Sequence, residues 1–229
     1  MKINLEFLKS LFFQNGLCCI CKEENLKSGL ICDSCLKNYE RESRKFLFKN
    51  EFFIHCTGSY DENIKNALLR YKYGRESYLY KAFARIFKSY MEKNFMDFDV
   101  FLTVPSHKNT VIKRGFDHMR TIGNEISKTL NIKFSKDNLI KVKDTKPQHF
   151  LKADERKTNL SNSFKIVNAD EFRDKKILIL DDMVTTGYTM FEVEKILRKC
   201  KPEEITGLCL LSGKKVLRYE INSGLCRIT

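Results

Sequence analysis

Two neighbouring carboxylates followed by hydroxyls and a glycine form the densest group of chemically useful side chains in this 229-residue chain: Asp181, Asp182, Met183, Val184, Thr185, Thr186, Gly187, Tyr188 and Thr189. Paired carboxylates can accept hydrogen bonds from a vicinal diol such as a ribose carries. Thr185, Thr186, Gly187 and Thr189 add hydroxyls and approachable backbone N–H groups suited to phosphate, and a helix starting near Tyr188 would aim the positive end of its dipole at the same anion. Diol plus phosphate describes a phosphorylated ribose. A plain strand-to-helix turn, with Asp as cap and Thr and Gly making the bend, uses the same residue types. The ordered combination is far rarer than its parts.

A second constellation is made of thiols. Cys18 and Cys21 enclose two residues, ten residues separate Cys21 from Cys32, and Cys32 and Cys35 again enclose two. Two such knuckles can place four thiolates around one tetrahedral zinc of the closed, structural kind, with Gly29 allowing the intervening turn. Cys19 is an alternative to Cys18, and His55 and Cys56 are competing ligands further along. The chain has nine cysteines, an odd number, and no secretion signal precedes them, so reduced thiols in a cytoplasmic protein are expected.

These groups need elements to hold them. Ile177 to Leu180 is a continuous apolar run, read as a strand covered on both faces in a parallel sheet, with the acidic pair at its carboxyl end. Val100 to Val104 is a second such strand, beginning an α/β core at Asp99. Pro105 and Ser106 end it, and a basic loop follows through His107, Lys108, Lys113 and Arg114, with Gly115 permitting a turn. A cationic loop at a strand end suits pyrophosphate. Helices are expected through Ile64, Ala67, Leu68 and Tyr71, through Leu79, Phe83, Phe87 and Tyr90, and through Met119, Ile122, Ile126 and Leu130; Phe46 to Cys56 reads as strand. Ile3, Phe7, Leu8 and Leu11 share a helical face before the cysteines, and a return helix follows them towards Lys45. Strands at Asn138 to Val142 and Phe164 to Val167 flank a polar connection carrying Lys143, Lys146, Gln148, Lys152, Arg156 and Lys157, expected to act as a mobile cationic lid. The reading divides the chain into residues 1–45, a helix with a zinc module, and 46–229, an α/β domain.

The run ILILDDMVTTGYT resembles the phosphoribosyl-pyrophosphate (PRPP) signature of type I phosphoribosyltransferases. The order of the pieces narrows the likeness to the ComF family, competence proteins in which a zinc module precedes a phosphoribosyltransferase-type domain. TVPSHKNTVIKRGFDHMRTIG resembles that family's Pro-Val-Pro-x-His…Arg-Gly-Phe-Asn-Gln element, with Asp117-His118 standing where Asn-Gln is usual. Thr145, Gln148, Arg156, Asn159 and Phe164 match its lid, and YDENIKNALLRYKYG, with Lys72 and Tyr73, is similar to its Tyr…Ile…Lys-Tyr helix. The resemblance implies a type I phosphoribosyltransferase-like parallel sheet flanked by helices. It implies PRPP binding with Mg²⁺ by Asp181 to Thr189 together with Ser106, His107, Lys108 and Arg114. It also implies a role in natural transformation, handling incoming single-stranded DNA alongside DNA-uptake machinery. If catalysis occurs, a nitrogen nucleophile displaces pyrophosphate at C1, and Asp181 and Asp182 oppose the cationic transition state. Alternatives are a nucleobase-salvage phosphoribosyltransferase, against which the zinc module argues, and a non-catalytic nucleotide- or DNA-binding module.

Composition bounds these readings. A formal charge of +13 favours polyanions through counterion release, although dispersed lysines produce the same figure. No stretch is long and apolar enough to span a bilayer, so any membrane association is expected to be peripheral, at the inner face.

Overall fold

The computed structural model describes residues 16–24, 26, 29–48, 52–58, 61–74, 76–143, 162–213, 221–222 and 225–227. The expected N-terminal helix and most of the lid, including Thr145, Lys146, Gln148, Lys152, Arg156, Lys157 and Asn159, lie outside these residues. In chain order the elements are α1 (Asp33–Arg41), β1 (Arg44–Phe48), β2 (Phe52–Gly58), α2 (Glu62–Tyr73), α3 (Tyr80–Lys93), β3 (Val100–Thr103), α4 (Lys108–Arg114), α5 (His118–Leu130), β4 (Lys133–Phe134), β5 (Leu139–Lys141), β6 (Phe164–Ile166), β7 (Lys176–Val184), α6 (Tyr188–Leu197), β8 (Glu204–Ser212), β9 (Ile221–Asn222) and β10 (Leu225–Arg227).

One sheet runs β4-β3-β7-β8-β2-β1-β10-β9, and β5 and β6 form a separate pair. The block from β4 through β2 is parallel throughout, with Leu102 opposite Ile179 and Leu180 opposite Leu208. Both faces are covered, which is why β7 and β8 are almost uninterrupted apolar runs. Leu178, Leu180 and Leu208 belong to a buried cluster with Ile64, Phe83 and Met119, while Ile177, Ile179 and Cys209 belong to another with Phe172, Val193 and Leu197. From β3 the chain crosses to β4 on one side, and β7 lies on the other. The carboxyl ends of β3 and β7 therefore border a switch-point crevice, the usual ligand position in such sheets.

Several local expectations are refined. Phe46 to Cys56 is a hairpin and not one strand: β1 and β2 pair antiparallel with Arg44 opposite Cys56 and Phe48 opposite Phe52, since the polar Lys49-Asn50-Glu51 breaks the apolar run. The basic loop after β3 is largely the short helix α4, closed by Gly115 at φ 88°, a left-handed value that glycine adopts without strain. The strand carrying the acidic pair runs on to Val184. The division at residue 45/46 falls inside β1, and Cys18, Ile20 and Ile31 share the buried cluster of α2 and α3.

Candidate functional site: a four-cysteine centre and an acidic strand end

The cysteine centre is built by two turns and a helix start. Gly29 takes φ 86°, and the Cys19 amide bonds the Leu30 carbonyl at 2.8 Å, folding the second knuckle onto the first. Cys32 caps α1, and its Sγ accepts from the Cys35 amide at 3.3 Å; the Cys32 amide donates to Cys18 Sγ at 3.3 Å. The sulfurs of Cys18, Cys21, Cys32 and Cys35 all lie within 4.8 Å of one another. Cys18–Cys35 and Cys21–Cys32 are each separated by 3.9 Å. Four sulfurs at Zn–S bond length around a tetrahedral ion would stand roughly 3.8 Å apart, so this set could hold one metal ion. Burial works against the Cys18 thiolate, but the amides of Cys32, Cys21 and Ile20 outweigh it and lower the thiol to about 7. Cys19 is outside the set, and burial pushes its thiol up to about 12. His55 and Cys56 are also outside it: His55 Nδ1 meets the Tyr90 hydroxyl at 2.9 Å, and Cys56 is a core residue of the opposite sheet face.

At the other site, β7 delivers Asp181 and Asp182 to the crevice. Successive strand side chains point to opposite faces, so Asp182 shares the α2/α5 side with Leu180. There Lys72 Nζ stands 2.5 Å from Asp182 Oδ2, and His118 Nε2 bonds the same oxygen. Arg114 Nη1 lies 2.6 Å from His118 Nδ1, and its guanidinium sits over the Tyr73 ring at 5.2 Å. Burial would raise the Asp182 carboxyl, but the Lys72 charge and the His118 hydrogen bond hold it well below the usual carboxylate range. Asp181 goes the other way: burial first, then the charge on Asp182, push it well above that range. Among the described residues Asp181 forms no ion pair, and it accepts from the Asp182 amide at 2.9 Å. The pair is thus one fixed anion beside one carboxyl inclined to keep its proton, two different hydrogen-bonding roles from adjacent residues.

The turn after β7 suits an anion. Gly187 takes φ 75° as the N-terminal cap of α6, a conformation that would strain any other residue. The Thr186 hydroxyl is buried with no hydrogen-bond partner among the described residues, an uncommon state for a buried polar atom. Thr185, Tyr188 and Thr189 are partly buried. The Val184 side chain is core, Met183 packs against apolar neighbours, and the Val184 carbonyl takes the Gly213 amide at 2.7 Å.

In the loop after β3, the Ser106 amide donates to Asp117 Oδ2 at 3.2 Å. Asp117 also caps α5 by accepting from the amides of Met119 and Arg120. His107 is buried and caps α4, with Nδ1 accepting from the Asn109 amide. Lys108 is exposed, Arg114 joins the Asp182 network, and Lys143 lies exposed just past β5. Sequence reasoning left Lys72 and His118 out of the site. Both flank apolar helical stripes, and only the crossing of α2 and α5 over the end of β7 makes them neighbours.

Residues 120–225 match the phosphoribosyl transferase domain family. The chain is 27% identical over 203 residues to competence protein F of Haemophilus influenzae, covering 84% of this chain and 88% of that one. It is 30% identical over 112 residues to the DNA utilization protein YhgH of Escherichia coli K12, where the match spans about half of each protein. A solved adenine phosphoribosyltransferase from Saccharomyces cerevisiae aligns over 86% of this chain and 100% of its own, with 11% identity and a TM-score of 0.42. With its four-cysteine cluster ahead of a phosphoribosyltransferase-type sheet, the chain is similar to competence protein F over most of its length and carries a phosphoribosyl transferase domain.

Proposed function

We propose that this chain is a ComF-like competence protein acting in the cytoplasm during natural transformation. In this reading the β3/β7 crevice binds PRPP with Mg²⁺, and the basic surface takes incoming single-stranded DNA. The observation that carries the ligand assignment is the Thr186 hydroxyl, buried and without a hydrogen-bond partner among the described residues in a glycine turn at a helix start, four residues after Asp182, whose carboxyl is held well below the usual range. The hydroxyl and the turn's amides would take the 5′-phosphate, and the carboxyl pair the ribose hydroxyls. Mg²⁺ is typically held by substrate phosphates with few protein ligands, so PRPP oxygens would carry it, with Asp182 the fixed negative charge nearby. Bound there, Mg²⁺ would neutralise pyrophosphate charge. The competence role rests on the likeness to competence protein F, and the DNA partner on the net charge of +13. The four cysteines would hold a structural zinc.

Titration calorimetry with PRPP and Mg²⁺ tests the ligand assignment. The wild-type chain should bind, and the folded Asp181→Ala/Asp182→Ala double variant should not. Equal affinity in the two proteins would refute the assignment.

A further inference from the structure

Asp182 is gripped from two helices through a single oxygen. Lys72, near the end of α2, and His118, the first residue of α5, both bond Oδ2. The other oxygen, Oδ1, has no partner among the described residues and is not sealed from solvent. The histidine's proton can be placed by elimination. Arg114 faces Nδ1 at 2.6 Å, and a guanidinium can only donate, so Nδ1 must accept and the ring proton must sit on Nε2, towards Asp182. The ring is also fixed through its backbone, because the fully buried Tyr71 donates its hydroxyl to the His118 carbonyl at 2.8 Å.

We infer that His118 is a positioning residue: with Lys72 it saturates Oδ2 of Asp182 and so presents Oδ1 as that carboxylate's acceptor for a ligand hydroxyl. The identity of the ligand rests on the PRPP reading; the clamp itself does not. Arg114 is part of the device, since it selects the tautomer that can donate to Asp182. Tyr73 supports Arg114 in turn, lying beneath its guanidinium and placing a hydroxyl 3.4 Å from Nη2. The geometry also specifies what can replace the histidine. A glutamine amide has an acceptor for Arg114 and a donor for Asp182, whereas phenylalanine fills the space and offers neither.

Two measurements on the full chain decide the matter. Long-range ¹H–¹⁵N correlation at neutral pH, with the signal assigned by its loss in His118→Gln, should show His118 as the Nε2–H tautomer. The Nδ1–H form or an imidazolium would overturn the clamp whatever the protein binds. Calorimetry with PRPP and Mg²⁺ should show His118→Phe weakened by about 10- to 100-fold, the range expected for losing a hydrogen bond to a charged group. His118→Gln should recover most of that loss, an outcome that a space-filling role does not predict. Glutamine as weak as phenylalanine, both being folded, would overturn the inference. A wild-type chain that shows the Nε2–H tautomer but binds no PRPP would sink the ligand reading and leave the clamp standing.

Discussion

Replacing Lys72 by methionine removes one charge from a largely desolvated pair, and the structure allows its cost to be worked out. The Lys72 and Asp182 side chains are only 18% and 13% exposed, so water replaces the lost partner poorly. Breaking a buried ion pair from one side costs about 3–5 kcal/mol. The surviving His118 bond to the carboxylate, worth about 1.5–3 kcal/mol, offsets part of the exposed charge. A net loss of roughly 2 kcal/mol at pH 7 is therefore expected, read as a lowered urea midpoint with an unchanged slope. The effect has a pH signature. In the wild type the folded Asp182 carboxyl lies well below its unfolded value, so its stabilisation is present above about pH 4 and is lost as pH falls further. Without Lys72 the buried carboxyl favours its proton, and the gap between variant and wild type should widen as pH rises through the carboxylate range and close towards pH 4. Lys72→Met/Asp182→Asn should regain most of the loss, because no charge is left unpaired. A Lys72→Met cost below about 0.5 kcal/mol, the usual size of a surface change, or a gap independent of pH between 4 and 7, would refute the reasoning.

Thr186→Val should weaken PRPP binding by about 2- to 10-fold without loss of stability, since it deletes one ligand-directed hydroxyl and opens no cavity; an unchanged calorimetric affinity would exclude that hydroxyl from the site. Elemental analysis of freshly purified protein should find one zinc per chain, and Cys32→Ser should reduce it, with hydrogen exchange rising first across residues 16–35; less than half an equivalent in folded wild type would count against the centre. Burial, and then Lys45, lower His55 to about 4. Because the unfolded chain takes up that proton first, its stabilisation is present above about pH 6.5 and is lost as pH falls towards 4, by roughly 3 kcal/mol at most. His118 is shifted in the same direction, so urea unfolding at pH 5 and 7 should show His55→Gln with a shallower acid dependence that is not abolished. Single-stranded DNA should bind with little sequence preference, and its log affinity should fall linearly with log salt. Charge reversal at Lys143, Lys146, Lys152 and Lys157 would isolate the lid's share in fluorescence anisotropy, and equal binding by an unrelated protein of the same charge would refute a specific role.

Much was legible from local pattern. The apolar run from Ile177 and the Gly187 turn could only be a buried strand feeding a helix, because burial on both faces removes polar alternation and a left-handed cap demands glycine. The pair of Cys-x-x-Cys knuckles specified its own geometry, since the short loops bring the sulfurs together with little help from the rest of the chain. Asp61 and Asp117 cap their helices with side-chain oxygens, a local signal that the reading by apolar periodicity did not use. What remained hidden was set by crossing elements. Lys72 and Asp182 are far apart in sequence, and only the packing of α2 across the end of β7 makes them an ion pair. His118 stood out only as an unusual residue in a basic loop, and its tautomer depends on where α4 places Arg114. The opposite shifts of Asp181 and Asp182 follow from the strand pleat and from which face carries the cations. Which residue types were available for a phosphorylated ribose and a metal could be read from the chain alone. The tertiary structure alone decided which carboxylate is ionised, what holds it and which oxygen it shows, because charge in a desolvated site is governed by neighbours brought together from distant parts of the chain.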